Sequence, residues 1–142
     1  MVRSYNRHEP TAVFGLIASN TAVRPVLDAD GKKAYVAALE DILVWDVKKG
    51  QLLATWHEVA HTSSVTALAR NPQDKDVFAV GYADGSIRLW RASTSASYLT
   101  FNGHKGSVNC LVWDHNGMRL ASAGQDTTII AWDVIAEQGL FR

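Results

Sequence analysis

The chain has 142 residues, enough for one ordinary domain, and its 14 basic and 14 acidic residues give a formal net charge of zero. Residues 1–60 hold seven residues of each sign and residues 61–142 hold the other seven of each, so neither half has the basic excess of a nucleic-acid footprint. The one cysteine, Cys110, excludes an internal disulfide, and no apolar run approaches the roughly 18 residues of a membrane span. In chain order, residues 1–10 (MVRSYNRHEP) form a polar lead-in without the apolar core of a secretory signal. Residues 12–19 (AVFGLIAS) have the length and composition of a strand, and 20–33, with Pro25 and the Asp28-Ala29-Asp30-Gly31 cluster, read as mostly loop. Strands follow at 34–39, 42–47 and 51–56, with a turn at Lys48-Lys49-Gly50. A second group has strands at 64–69, 76–82, 86–91 and 98–101, a turn at Asn71-Pro72-Gln73-Asp74 and a polar linker at 92–96. A third has strands at 108–113, 119–123 and 128–132, with turns at Asp114-His115-Asn116-Gly117 and Gln125-Asp126-Thr127. Its outer strand would start near Leu140, and Cys110, inside a strand, is expected to be a buried small hydrophobe.

The groups are copies of one unit. Trp45, Trp90 and Trp132 stand 45 and 42 residues apart. His61, Asp84 and Trp90 are separated by 23 and 6 residues, and His104, Asp126 and Trp132 by 22 and 6. The first copy is weaker, since no Asp lies six residues before Trp45. The bracket from Gly103-His104 to Trp132-Asp133 resembles the WD repeat, one four-stranded propeller blade. The expected fold is therefore all-β: a partial WD-repeat β-propeller of about three four-stranded antiparallel blades, open and truncated. Blade one would span about 11–57, blade two 58–103 and blade three 104–142, the last incomplete. Propeller blades pack both faces, so their strands should read as mixed apolar runs. An open arc would leave the outer faces of blades one and three uncovered. At ~25 cal/mol per Å² of apolar surface, several hundred Å² per face is worth roughly 10 kcal/mol, so the chain is expected to be a fragment or the start of a longer one.

His104, Ser122, Asp126 and Trp132 contain the residue types of an acyl-transfer triad. The resemblance to the WD repeat implies a structural network at these four positions instead: the indole N–H would donate to the Ser hydroxyl, the hydroxyl to His, and His to the carboxylate, so that each buried group gains a partner. No Gly-x-Ser-x-Gly elbow accompanies Ser122. Blade two keeps His61, Asp84 and Trp90, but Val80 occupies the hydroxyl position, so its network should be incomplete. The histidines His8, His57, His61, His104 and His115 have no metal-ligand spacing, and no phosphate loop or dinucleotide fingerprint appears. No catalytic, cofactor or metal residue is assigned, and no small-molecule substrate is expected. Propellers act through rim loops, and Tyr82, Arg88, Lys105, Gln125 and Thr127 are the candidate interaction surface.

The wording of several segments is more specific than a blade requires. VGYADGSIRLW (80–90), FNGHKGSVNCLVWD (101–114), RLASAGQDTTIIAWDVIAEQGLFR (119–142) and the opening SYNRHEPTAVFGLIASN resemble the large tandem-propeller WD-repeat protein of the UTP-B subcomplex of the small-subunit processome. Ala123-Gly124-Gln125 departs from that family's usual Gly-Ser-Lys. The family continues through further blades into a helical C-terminal domain. The resemblance implies a non-enzymatic scaffold in ribosome biogenesis (processome assembly and pre-rRNA processing) in the nucleolus of the nucleus. It implies other UTP-B subunits and processome proteins as partners, with pre-rRNA and U3 snoRNA reached through the particle, and no membrane. The alternative is a WD-repeat peptide- or protein-recognition module in another complex, such as a ubiquitin ligase or chromatin reader.

Overall fold

The computed structural model describes residues 23–141. Among them are twelve strands and no helix. They form three four-stranded antiparallel sheets. Sheet one holds β1 (Val26–Leu27), β2 (Lys33–Ala38), β3 (Asp41–Asp46) and β4 (Gln51–Trp56). Sheet two holds β5 (Val65–Arg70), β6 (Val77–Tyr82), β7 (Ser86–Arg91) and β8 (Ala96–Asn102). Sheet three holds β9 (Val108–Trp113), β10 (Arg119–Gly124), β11 (Ile129–Asp133) and β12 (Gln138–Phe141). In each, the strands lie side by side in chain order, as short hairpin turns require.

The sheets stack face to face. One apolar cluster joins sheet one to sheet two through Tyr35, Ile42, Trp56, Phe78 and Trp90, and a second joins sheet two to sheet three through Ile87, Leu89, Phe101, Leu120 and Trp132. Sheet two is therefore covered on both sides, and all six residues of β6 are buried. Sheets one and three alternate buried and open positions, as in β10, and their far faces carry the exposed Leu52, Val112 and Ile129.

Several sequence expectations change. The strand expected at 12–19 lies outside the described residues. The strand paired with β2 is Val26–Leu27, inside the stretch read as loop. Asp28 makes that hairpin, because its carboxylate accepts the Lys32 N–H at 2.7 Å and the Lys33 N–H at 3.1 Å and folds Leu27 back against Ala34. The outer strand of sheet two starts at Ala96 and that of sheet three at Gln138, both earlier than expected. Cys110 is exposed rather than buried: β9 turns Val108 and Leu111 inward, and Cys110 lines an open cavity of about 430 Å³ with Arg24, Thr66 and Asn109.

The outer edges share one device. Trp45 faces Leu52 while Val44 faces Ala54, Trp90 faces Ser97 while Leu89 faces Leu99, and Trp132 faces Gly139 while Ala131 faces Phe141. The extra residues, Leu53, Tyr98 and Leu140, turn outward at these bulges. β4, β8 and β12 contain no charged residue, so the bulges, which bend the edge away, supply the protection that edge charges commonly give.

Candidate functional site

The third repeat builds a continuous buried network. β9 is preceded by His104, β10 carries Ser122, β11 carries Trp132, and the β10–β11 turn carries Asp126. Trp132 Nε1–H donates to Ser122 Oγ at 2.8 Å, Ser122 Oγ lies 2.7 Å from His104 Nε2, and His104 Nδ1 lies 3.0 Å from Asp126 Oδ1. These contacts form one relay when the Ser122 hydroxyl donates to Nε2 and Nδ1–H donates to the carboxylate. Asp126 also accepts the Lys105 N–H at 2.9 Å and the Thr128 hydroxyl at 2.8 Å. The Lys105 N–H is the largest influence holding its carboxyl well below the usual carboxylate range; desolvation opposes it, and Thr128 and His104 add to it.

Two glycines make room for this relay. A Cβ at Gly103 would meet the Trp132 ring at 2.7 Å, and one at Gly124 would meet His104 Nδ1 at 2.5 Å. The Gly-His pair that opens the repeat is thus a packing requirement of the indole it leads to. Chemically, Ser122 is sealed: the residue is 1% exposed and its hydroxyl is held between Trp132 and His104. A nucleophile needs access to substrate, so the arrangement suits blade rigidity and not acyl transfer.

The second repeat is wired differently. Val80 is buried in the core, and the hydroxyl comes instead from Tyr82, whose Oη accepts the Trp90 Nε1–H at 3.3 Å. His61 Nε2 lies 2.9 Å from Asp84 Oδ2, and its ring meets the Tyr82 ring edge-on at 4.3 Å. Ser86 Oγ donates to Asp84 Oδ1 at 2.7 Å and lies 3.4 Å from His61. Burial pushes the Asp84 carboxyl up, and the Ser86 hydroxyl and N–H with His61 outweigh it, for a net downward shift. Indole and carboxylate are each satisfied, but no hydroxyl links them. In sheet one, His57 Nδ1 lies 2.6 Å from Asp41 Oδ1, an open contact that holds the imidazole above its ordinary value.

Two residues expected on the interaction surface are not there. Tyr82 is 2% exposed, because β6 is covered on both faces and its hydroxyl serves Trp90. Arg88 is turned toward sheet one, where it pairs with Glu58 and lies 5.7 Å from the centre of the Tyr82 ring. Lys105, Gln125 and Thr127 are exposed beside the Asp126 turn, with Gln125 N–H donating to Ser107 O at 2.7 Å.

Sequence reasoning missed Thr128 and Ser86. Both follow the network Asp by two residues, in Asp126-x-Thr128 and Asp84-x-Ser86, so a signal was present. It also missed a clamp between sheets two and three, in which Asn71 Nδ2 donates to Gly117 O at 2.9 Å and Gln73 Nε2 to His115 O at 3.0 Å. The turn signals at both ends were legible; their meeting depends on how the sheets stack.

Comparison with known proteins returns the same architecture. The family described as WD domain, G-beta repeat matches residues 50–91 and 95–133, together more than half of the chain. The chain is similar to U3 small nucleolar RNA-associated protein 12 of Saccharomyces cerevisiae, 35% identical over 138 residues, which cover 86% of the chain and 15% of that protein. It is similar to the WD repeat-containing protein 3 homolog of Dictyostelium discoideum, 38% identical over 108 residues, 76% of the chain and 11% of that protein. The chain thus spans only a small part of these relatives. Among solved structures, the RRP9 WD40 repeats superpose with a TM-score of 0.73 at 25% identity, covering 82% of the chain and 36% of theirs. Repeat spacing, sheet topology, the His104–Asp126–Trp132 network and these matches lead to one assignment: the chain belongs to the WD domain, G-beta repeat family.

Proposed function

We propose that the chain forms part of a propeller in a non-enzymatic scaffold of ribosome biogenesis, acting in small-subunit processome assembly and pre-rRNA processing. The observation that carries this reading is the similarity to U3 small nucleolar RNA-associated protein 12 along 86% of the chain. The physical character of the blades supports it. A buried, satisfied network fixes the third sheet and leaves rim turns such as 125–127 to vary, which suits a platform for other macromolecules. The balanced charge favours RNA contact through protein partners, namely UTP-B subunits and other processome proteins, over direct gripping of phosphates. The working place is the nucleolus. Affinity purification of the tagged full-length protein tests the proposal: UTP-B subunits and U3 snoRNA should be enriched together. Recovery of ubiquitin-ligase or chromatin subunits in their place would replace the scaffold reading with that of a recognition module.

A further inference from the structure

We propose that the cavity between the turns of sheets one and two receives a single arginine side chain of a partner protein, its guanidinium held by the Tyr35 hydroxyl and by the carboxylates of Asp28, Asp30 and Asp76. The pocket is built from this chain's own residues, so it goes beyond the scaffold reading and does not rest on it.

Residues 28–33 of sheet one face residues 75–76 and 92–93 of sheet two across a cavity of about 320 Å³ that opens to solvent. Tyr35 forms part of its wall. Tyr35 is 3% exposed, and its ring packs against Phe78 and Trp56 at centroid distances of 4.2 and 5.2 Å. The core thus uses the ring, and the hydroxyl is what Tyr35 presents to the cavity. That hydroxyl has no hydrogen-bond partner among the described residues. A buried tyrosine hydroxyl normally finds one, so this one is left open to a ligand.

The surrounding charges select that ligand. Asp28 Oδ1 accepts the Lys32 and Lys33 N–H groups, which leaves Oδ2 open. The Asp76 carboxylate accepts only the Ser93 N–H and hydroxyl. Among the described residues the Asp30 carboxylate has no partner, and none of the three is in an ion pair. Burial first, then the Asp28 and Asp76 carboxylates, hold the Tyr35 hydroxyl above its ordinary value, and Arg70 opposes them less strongly. The charges felt at the inner end of the pocket are therefore mainly negative. Lys33 and Lys75 also line the cavity, but both are exposed and neither is among the charges acting on that hydroxyl.

A metal ion is the wrong cation. Among the described residues no three His, Cys, Asp or Glu side chains converge to hold one. Spread carboxylates and one hydroxyl suit a planar guanidinium, whose five N–H donors reach several acceptors at once, whereas an ammonium is a compact charge. Lys33 and Lys75 at the margin repel further positive charge, so a lone arginine is favoured over a basic run.

The test uses purified full-length protein with one 3-fluorotyrosine at position 35, read by fluorine NMR. Capped peptides with arginine, lysine or citrulline between glycines are titrated to millimolar concentration. The arginine peptide should give a saturable shift, the lysine peptide should bind about fivefold more weakly or worse, and citrulline should give none. Asp30→Lys should weaken the arginine peptide about tenfold or more with thermal stability unchanged, because Asp30 is exposed and holds nothing in the fold. No shift with the arginine peptide, equal binding of citrulline, or unchanged affinity in Asp30→Lys would overturn the pocket. Tighter binding of free arginine than of the peptide would overturn the protein partner in favour of a small molecule. None of these outcomes depends on which subunits the protein recovers, so the pocket and the scaffold reading fail separately.

Discussion

His61 and His104 occupy matching places in consecutive repeats, but what each would leave behind differs. Removal of His104 deprives two nearly sealed groups of a partner, Ser122 at 1% exposure and the Asp126 side chain at 10%. Removal of His61 leaves Asp84, whose side chain is 45% exposed and can take water. His104→Ala should therefore lower stability by ~1–3 kcal/mol and His61→Ala by less, measured by denaturant unfolding of the full propeller. An equal or larger loss for His61→Ala would show that the relay does not carry the third blade. Tyr82→Phe should cost ~1–3 kcal/mol by the same reasoning, since it leaves the buried Trp90 indole N–H without its acceptor. Asp126 sets a pH dependence. Its folded carboxyl titrates below the unfolded one, so the stabilisation is fully present above the ordinary carboxylate range and is lost as pH falls through and below it. Asp126→Asn should flatten the acid limb of a stability–pH curve, and an unchanged limb would place that sensitivity elsewhere. His104, Ser122, Asp126 and Trp132 were legible in the sequence because the repeat fixes their spacing. Tyr82 was not: it stands two residues beyond the hydroxyl position, and only the length of its side chain and the covered face of β6 turn it from a surface candidate into the acceptor for Trp90.

At the scale of the element, the turn between the third and fourth strands repeats with different residues in the same backbone. Gly50, Ser95 and Glu137 occupy its left-handed position, with φ of 64°, 53° and 57°. Only glycine adopts that region without steric cost, and other residues bear about 1 kcal/mol. Ser95→Gly and Glu137→Gly should thus raise stability, offset in part by the entropy of the unfolded chain, and Gly50→Ala should lower it, in thermal melts of the three variants. The Asp of each Trp-Asp pair closes the same turn: Asp46 accepts the Lys48 and Lys49 N–H groups, and Asp133 those of Ile135 and Ala136. Sheet two has Arg91 there, and Asp76, from the neighbouring turn, accepts the Ser93 N–H at 2.7 Å instead. Strand positions were readable from apolar runs because each is bounded by turn residues. The starts of β8 and β12 were not, because both follow turns whose left-handed residue is not glycine and so carries no sequence mark. β1 was hidden for another reason, since two residues are too few to show a period.

For the whole molecule, the open arc expected from three blades accounts for the packing: the middle sheet is covered on both faces and the outer two on one. The continuous apolar run of β6 belongs to the doubly covered sheet, and the alternation in β10 belongs to a sheet with one open face. Which loops project was beyond the sequence: nothing in residues 57–60 marks Val59 as 92% exposed. Conditional depletion of the full-length protein tests the proposed role in pre-rRNA processing most directly. Pre-rRNA would be followed by hybridisation to precursors of the small- and large-subunit RNAs. The expected result is accumulation of unprocessed small-subunit precursor and a fall in mature small-subunit RNA, with the large-subunit branch unchanged. Normal processing of both branches after complete depletion would contradict it.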